Sequence, residues 1–333
     1  MAIALTVFGG SKNVTRIDPE TRQAVRDPET GQVVRDEVNK FLDAQNLLQV
    51  ANNASYIAVM AVGMTAIIAL AGIDLSIGSI YALAAIAGAF ALRELERTTG
   101  LVVALPVALA VCMGVGALAG LVNGSMIVGL RVHPFIITLG TMAIYRGVVF
   151  VLSRGQTVSG FPESIQKGFF KVSAGGVQPV PALIMIATTL AGWFMLSSTV
   201  LGRRVYAIGG NETAARYAGV PVGSIKIKVY TLSGALAGLA ACMYAGYYGA
   251  ATSDAGSGYE LRVIAAAVIG GASLSGGRGS AIGAALGAVV IELINNGMII
   301  LAVDQSYNQI VMGAAIVIAV LVDQAKRSPG RSH

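Results

Sequence analysis

Apolar residues run along this chain in long blocks separated by short polar gaps. Residues 51–71 (ANNASYIAVMAVGMTAIIALA) form one block and 75–92 (LSIGSIYALAAIAGAFAL) the next, followed by 101–130, 133–153 and 178–199. After a polar gap come 224–250, a shorter 259–272, then 279–302 and 307–322. About 20 apolar residues cross the hydrocarbon core of a bilayer as a helix. The pattern therefore predicts nine helical segments, of which 259–272 is too short to cross straight and reads as a short or re-entrant piece. The opening MAIALTVF has no basic stretch before it, as a secretory signal would. It reads as the truncated remnant of one more helix in residues 1–10, bringing the expected total to about ten. The fold class that follows is an all-α polytopic membrane protein.

Composition agrees and excludes the soluble classes. Of 333 residues, 55% are hydrophobic and 12% charged, about half the charge of an ordinary soluble domain. Thirteen of the forty charged side chains lie in residues 1–50, so the rest of the chain is poorer still. Two cysteines, Cys112 and Cys242, sit inside apolar runs, and the two histidines are His133 and His333. No disulfide framework, metal site or catalytic triad is implied by so few groups so spaced.

The net charge of +6 changes the picture only through its position. With the spans laid out from the C-terminus, one side collects ten basic against three acidic residues, among them Arg131, Arg203, Arg204, Arg216, Lys226 and Arg278. Lysine and arginine mark the cytoplasmic side. The excess is thus topology, and without a basic stripe interleaved with aromatics no nucleic-acid partner is expected. Residues 11–50 are then an extracytoplasmic loop, carrying the near-repeat DPETRQAVR (18–26) and DPETGQVVR (27–35). Residues 51–323 form the membrane domain, with a cytoplasmic loop at 200–223 and a cytoplasmic tail at 324–333.

Small residues four apart let helix backbones approach closely in lipid. Gly116, Gly120 and Gly124 form two such steps, Gly234 and Gly238 another, and Gly283 and Gly287 a fourth. They suit a compact many-helix body.

Three stretches carry candidate chemistry. GASLSGGRGS at 271–280 resembles a phosphate loop, but the lysine position is Gly277 and the hydroxyl position Arg278, so that chemistry is absent. GIDLSIG at 72–78 places Asp74 and Ser76 between two apolar runs. Two readings are open: a tight turn with Asp74 capping the next helix, or a broken helix facing a transport cavity. GASLSGG at 271–277 matches it at four of seven positions. The loop LGRRVYAIGGNETAARYAGVPVGS at 200–223 encodes a short helix, with Asn211 as N-cap, Glu212 in the first turn, Ala214 and Ala215 as helix formers, Gly219 at C′ and Pro221 as a stop. A helix so short needs a surface to rest on, either its own bundle or a partner.

GIDLSIGS, HPFIITLGTMAIYRG, GGNETAARYAGV and YELRVIAAAVIGGASLSGGRG occur in this order. In this the chain resembles permease subunits of bacterial ABC sugar importers of the ribose, galactose, xylose and inositol type, a branch that includes branched-chain amino-acid permeases. The likeness spans roughly residues 45–325. It implies a non-enzymatic subunit that binds no cofactor, pairs with a second permease copy or paralogue in the inner membrane lipid, and works by alternating access. ATP and magnesium would bind a separate cytoplasmic ABC ATPase, and a periplasmic or lipid-anchored binding protein would deliver substrate. It also implies that Asn211, Glu212, Ala214, Ala215, Arg216 and Gly219 belong to the coupling helix that docks on the ATPase.

Candidate path residues are Asp74, Ser76, Arg146, Tyr244, Glu260, Arg262 and Asn295. Arg262 stands where the family pattern more often reads Glu-Leu-Asp; pairing with Glu260 or Glu292 and lining the path are both open. Arg146 either ties helices together or faces the path. Tyr244, Tyr247, Tyr248 and Tyr259 are read either as an interfacial aromatic belt or as a stacking surface for a sugar ring. The alternatives in function are a stand-alone facilitator or channel, and the same architecture carrying amino acids or nucleosides.

Overall fold

A computed structural model describes residues 6, 9–15, 23–27, 30–159, 166–172 and 178–327. Most of the opening apolar stretch, the first copy of the nine-residue repeat apart from residues 23–26, and residues 328–333 lie outside them. The described residues form eleven α-helices: α1 Ala44–Ala69, α2 Ile77–Thr99, α3 Leu101–Leu130, α4 Pro134–Ser153, α5 Val180–Ser198, α6 Val200–Gly210, α7 Glu212–Tyr217, α8 Val222–Tyr248, α9 Tyr259–Ile269, α10 Ala281–Ile300 and α11 Asn308–Arg327. A two-stranded antiparallel hairpin, β1 Ser11–Thr15 and β2 Arg35–Asn39, precedes them. Seven helices are long and apolar enough to cross a membrane, and the protein is a multi-pass membrane protein.

Two boundaries differ from the sequence pattern. α1 begins at Ala44, not near residue 51, because the polar stretch AQNLLQV is helical too. Its Asn46 amide donates to Phe41 O at 3.0 Å and to Asn296 Oδ1 at 3.2 Å, giving polar groups on an inner helix partners. The gap at 200–223 holds two helices where the pattern predicts one. Thr199 accepts from the Gly202 amide at 3.2 Å and so starts α6 through a stretch whose glycines disguise it.

Burial separates centre from rim. The apolar window of α1 is 89% buried, whereas those of α4 and α5 are 22% buried and face outward. α1 packs against α8, α10, α5 and α9, and α3 lies along both α8 and α2. Glycine sets the α3–α8 crossing. A Cβ on Gly116 would strike the Gly234 carbonyl, one on Gly120 the Tyr230 carbonyl, and one on Gly238 the Cys112 carbonyl. The two backbones touch directly, the arrangement that small residues four apart permit. Gly283 and Gly287 do the same for α10 against Gly270 and Ala266.

The segment at 259–272 is an eleven-residue helix rather than a span. The loop before it packs Gly256 against the backbone at Gly78, where α2 starts, and a Cβ on Gly78 would also lie 2.7 Å from Glu260 Oε2. α9 ends in a turn that matches the end of α1. Gly72 N–H donates to Ile67 O and Ala71 N–H to Ile68 O; Ala272 N–H donates to Ala267 O and Gly271 N–H to Val268 O. Both are Schellman caps, which close the last carbonyls of a helix without water. The likeness between GIDLSIG and GASLSGG thus has a local basis, offset by one residue from the caps. Gly277 N–H donates to Ala69 O at 2.9 Å, so the two turns meet at one end of the bundle.

The crossing makes a testable prediction. Gly120→Ala sets a methyl against backbone that cannot yield and should cost about 2 kcal/mol, as overpacking does. Gly114→Ala enters open space and should gain up to about 1 kcal/mol of helix propensity. Thermal unfolding in detergent should lower the midpoint for the first variant only; equal midpoints would show that the crossing is not tightly packed.

Candidate functional site

At the end of the bundle where α1 and α9 stop, α6, α7 and α8 form an elbow. Asn211 has extended backbone and accepts from the Ala214 amide at 2.9 Å, starting α7 as a good N-cap does. At the other end Val220 N–H donates to Ala215 O and Gly219 N–H to Arg216 O, both at 3.0 Å, a Schellman cap with Gly219 at φ +78. The left-handed backbone there requires a residue without a side-chain clash. Six residues are too few for a helix to persist alone, and α7 is held from one side. Glu212 accepts from Lys226 of α8 at 2.7 Å and from Arg216 at 3.0 Å. The Lys226 ammonium, with Arg216, holds the Glu212 carboxyl below the usual carboxylate range, against the opposing effect of partial burial.

α7 therefore has two faces. Ala215 is 5% exposed against the bundle, and Glu212 is spent on Lys226 and Arg216. Thr213, Ala214 and Arg216 are exposed, and Tyr217 is 88% exposed. Tyr217 is missing from the residues picked from sequence. Its signal was present: an aromatic next to arginine in a polar loop. A cleft of about 900 Å³ lies beside α7, walled by Gly72, Arg131, His133, Arg216, Lys226 and Tyr230 among others.

Above this cleft the chain leaves helical form between α1 and α2. Asp74, Ser76 and Asn123 are all 0% exposed. Asp74 Oδ1 accepts from the Ser76 amide at 2.9 Å and from its hydroxyl at 2.6 Å, an Asx-type turn two residues long. Asp74 does not cap α2 directly; the cap position is Ser76, whose side chain makes no cap bond. Asn123 of α3 donates to Ser76 Oγ at 2.7 Å, and Tyr145 of α4 donates to Asn123 Oδ1 at 3.2 Å and Ala119 O at 3.0 Å. Asp74 Oδ2 and Ser79 Oγ are buried without a partner.

At the opposite end lies a second polar cluster. Glu292, 5% exposed, accepts from Asn53 at 3.1 Å and Asn295 at 3.3 Å. Asn308 donates to Asn295 at 2.7 Å, and Arg262 donates to Asn308 at 3.3 Å while lying 5.8 Å from the Tyr259 ring centre. Among the described residues Arg262 makes no ion pair with Glu260 or Glu292, so that expected pairing is replaced by an amide relay. Its guanidinium is spent on Asn308 and on an aromatic face.

Tyr244, Tyr248 and Tyr259 join the buried Tyr56 and Tyr81 in one aromatic cluster, with Tyr248 44% exposed. Tyr244 meets Tyr56 at 5.7 Å, Tyr81 at 6.0 Å and Tyr248 at 4.5 Å, and Tyr81 meets Tyr259 at 5.3 Å. Tyr56 and Tyr81, on α1 and α2, are buried and draw the group inward, which residues on α8 and α9 alone could not reveal. Arg146 donates to Ala255 O at 2.6 Å and Ser253 O at 3.3 Å, fastening the loop before α9. The seven candidate path residues thus fall in separate groups. Asp74 and Ser76 share the α1–α2 turn; Arg146 and Glu260 flank the loop before α9; Tyr244 belongs to the aromatic cluster, and Arg262 and Asn295 to the relay.

Apolar spans, interior polar clusters and an exposed short helix together define a polytopic membrane protein. The family described as "Branched-chain amino acid transport system / permease component" matches residues 46–320, and the chain belongs to that permease family. It is 42% identical over 289 residues to the ribose import permease protein RbsC of Escherichia coli strain K12, covering 86% of this chain and 88% of that one. It is 38% identical over 292 residues to the ribose import permease protein RbsC of Bacillus subtilis strain 168, covering 86% and 87%. It is also 38% identical over 288 residues to the D-allose transport system permease protein AlsC of Escherichia coli strain K12, covering 85% of each. No solved structure matches.

The Glu212 attachment has a pH signature. A carboxylate whose folded pKa lies below its unfolded value stabilises above the unfolded value and loses that contribution as pH falls through the folded one. Hydrogen exchange over 211–220, corrected for intrinsic rates, should stay constant from pH 8 to about 5 and rise only below about 4, the ordinary glutamate range. Lys226→Met should raise exchange there several-fold already at pH 7. No change in that variant would show that α7 is held by other contacts.

Proposed function

We propose that this chain is the membrane-spanning permease subunit of an ATP-driven importer that moves a monosaccharide or related polyol across the bacterial inner membrane. A cytoplasmic ABC ATPase, binding ATP and magnesium, docks on α7, and a periplasmic or lipid-anchored binding protein delivers substrate to the opposite mouth. A second permease copy or paralogue completes the path. The observation that carries this reading is α7: a six-residue helix clamped to its own bundle by Glu212 and Ala215, with Arg216 and Tyr217 turned outward. Membership of the permease family and the sugar named for the ribose and allose relatives support it.

The division of labour on α7 follows from its faces. Asn211, Glu212, Ala215 and Gly219 shape and hold the helix; Ala214, Arg216 and Tyr217 meet the ATPase. Residues 210–220 carry the excess of cationic groups expected on the cytoplasmic side only together with their neighbours Arg131, Arg203, Arg204, Lys226 and Arg278. Transport then proceeds by alternating access. Closure of the ATPases moves α7, and the bundle changes the side to which its path opens. Tyr244, Glu260, Arg262 and Asn295 lie on that path, where amides, a carboxylate and aromatic faces offer weak contacts to hydroxyl groups. A station that must release its cargo is served by several such weak contacts better than by one strong one.

Proteoliposome uptake tests the reading. The purified chain, with and without its ATPase and binding protein, is offered labelled monosaccharides, branched-chain amino acids and nucleosides. Sugar uptake should require both partners and ATP. Rapid equilibration by the chain alone would mean a facilitator, and uptake of amino acids or nucleosides in place of sugar would change the cargo. Arg216→Ala with Tyr217→Ala should lower ATP-dependent uptake tenfold or more with the unfolding midpoint unchanged; normal uptake would remove α7 from the docking surface.

A further inference from the structure

The elbow and the buried Asp74 turn are described above as two features, yet two hydrogen bonds from one face of α8 join them. Glu212 of α7 accepts from Lys226 at 2.7 Å. Lys226 and Tyr230 are four residues apart on α8 and so share a face; both line the cleft beside α7. Tyr230 is 1% exposed, and its hydroxyl donates to Ile73 O at 3.2 Å. Thr138 of α4 reaches the same carbonyl from another side at 3.4 Å. Ile73 is followed by Asp74, whose turn is tied through Ser76 to Asn123 and Tyr145.

The receiving end has the marks of an element with a second arrangement. Residues 70–76 are not helical, so they can change backbone angles without breaking a helix. Ala71 sits at φ +60, a conformation that costs a residue with a side chain. Asp74 Oδ2 and Ser79 Oγ are buried and unpartnered at the same turn, which leaves this arrangement polar groups still to satisfy. α8 itself is a poor candidate for independent motion along its length, because its glycines are seated on the α3 backbone. What can respond is the turn that α8 and α4 hold by one carbonyl.

Resting on the proposal that α7 docks the ATPase, we infer that Tyr230 is a positioning residue for transport. With Lys226 it transmits the position of α7 to the Ile73 carbonyl, and so selects the arrangement of the Asp74 turn that sets the start of α2. Thr138 is the weaker hold on that carbonyl, because its one hydroxyl proton is shared with the nearer Pro134 O at 3.0 Å. The connection is a bistable turn biased from two sides, the form of coupling for which a physical warrant can be measured.

Tyr230→Phe removes one hydroxyl and keeps the ring, and Thr138→Val removes the weaker donor. Both are assembled as the full importer in nanodiscs, and sugar moved per ATP hydrolysed is measured together with hydrogen exchange over 72–79, with and without nucleotide. In the unaltered complex exchange at 72–79 should change with nucleotide. In Tyr230→Phe that change should vanish and transport per ATP fall at least fivefold, the lower end of ordinary allosteric coupling, while basal ATP hydrolysis and the unfolding midpoint stay put. Thr138→Val should keep the nucleotide response. Combining Tyr230→Phe with Lys226→Met should lose no more than the worse single variant. Unchanged coupling in Tyr230→Phe, or additive losses in the pair, would overturn the inference. The docking proposal fails separately, if the Arg216 and Tyr217 variants transport normally.

Discussion

The direct contact of the α3 and α8 backbones positions nearly everything else in this protein. Lipid offers no hydrophobic gain for bringing two helices together, so association rests on close packing of backbone and small side chains. Gly116, Gly120, Gly234 and Gly238 let it happen over several turns. Because α8 is seated there, Lys226 and Tyr230 at its start are held opposite Glu212 and the Ile73 carbonyl. Asn123, on the same face region of α3, reaches the turn that Tyr230 reaches from the other side. A bundle with bulkier residues at this crossing would still span a membrane, but it would bring neither group within hydrogen-bonding distance.

A second constraint is that backbone polar groups inside a bilayer must be satisfied within the protein. The chain breaks its helices at 70–76 and 270–280 and meets the constraint there with Schellman caps and with the bond from Gly277 to Ala69. Interrupted helices thereby supply non-helical segments whose flanking helix ends are closed. Among the buried side-chain atoms without a partner, Asp74 Oδ2 and Ser79 Oγ lie at the turn nearest the elbow. The amide relay at the other end, from Asn53 through Glu292, Asn295 and Asn308 to Arg262, follows the same economy. Its carboxylate is matched by neutral donors rather than by a single opposite charge.

Some of this was legible in the residues. Asn211, Glu212, Gly219 and Pro221 encode α7 through interactions that span four residues or fewer, and the structure places the caps where that code puts them. The glycine steps announced close packing, though not which helices would meet. The start of α6 was not legible, because Gly202, Gly209 and Gly210 weigh against a helix and the Thr199 cap lies inside an apolar run. The partner of Arg262 was not legible for a different reason. Glu260 and Glu292 are the obvious charges for it, whereas its actual partner, Asn308, lies 46 residues on in sequence and carries no charge. The aromatic cluster was only partly legible, because Tyr56 and Tyr81, from the first two helices, join the row on α8.

By itself the sequence determined the membrane class, the spans and the short capped helix between α6 and α8. Each depends on hydropathy over some twenty residues or on hydrogen bonds within one turn, and neither needs a neighbour. Only the tertiary structure decided which face of α7 is open, that Glu212 is spent on Lys226, and that Tyr230 meets Ile73 across 157 residues. Those pairings depend on the rotation and register of whole helices. In lipid these are set by how closely backbones can approach, a property of two surfaces together that no single stretch of sequence contains.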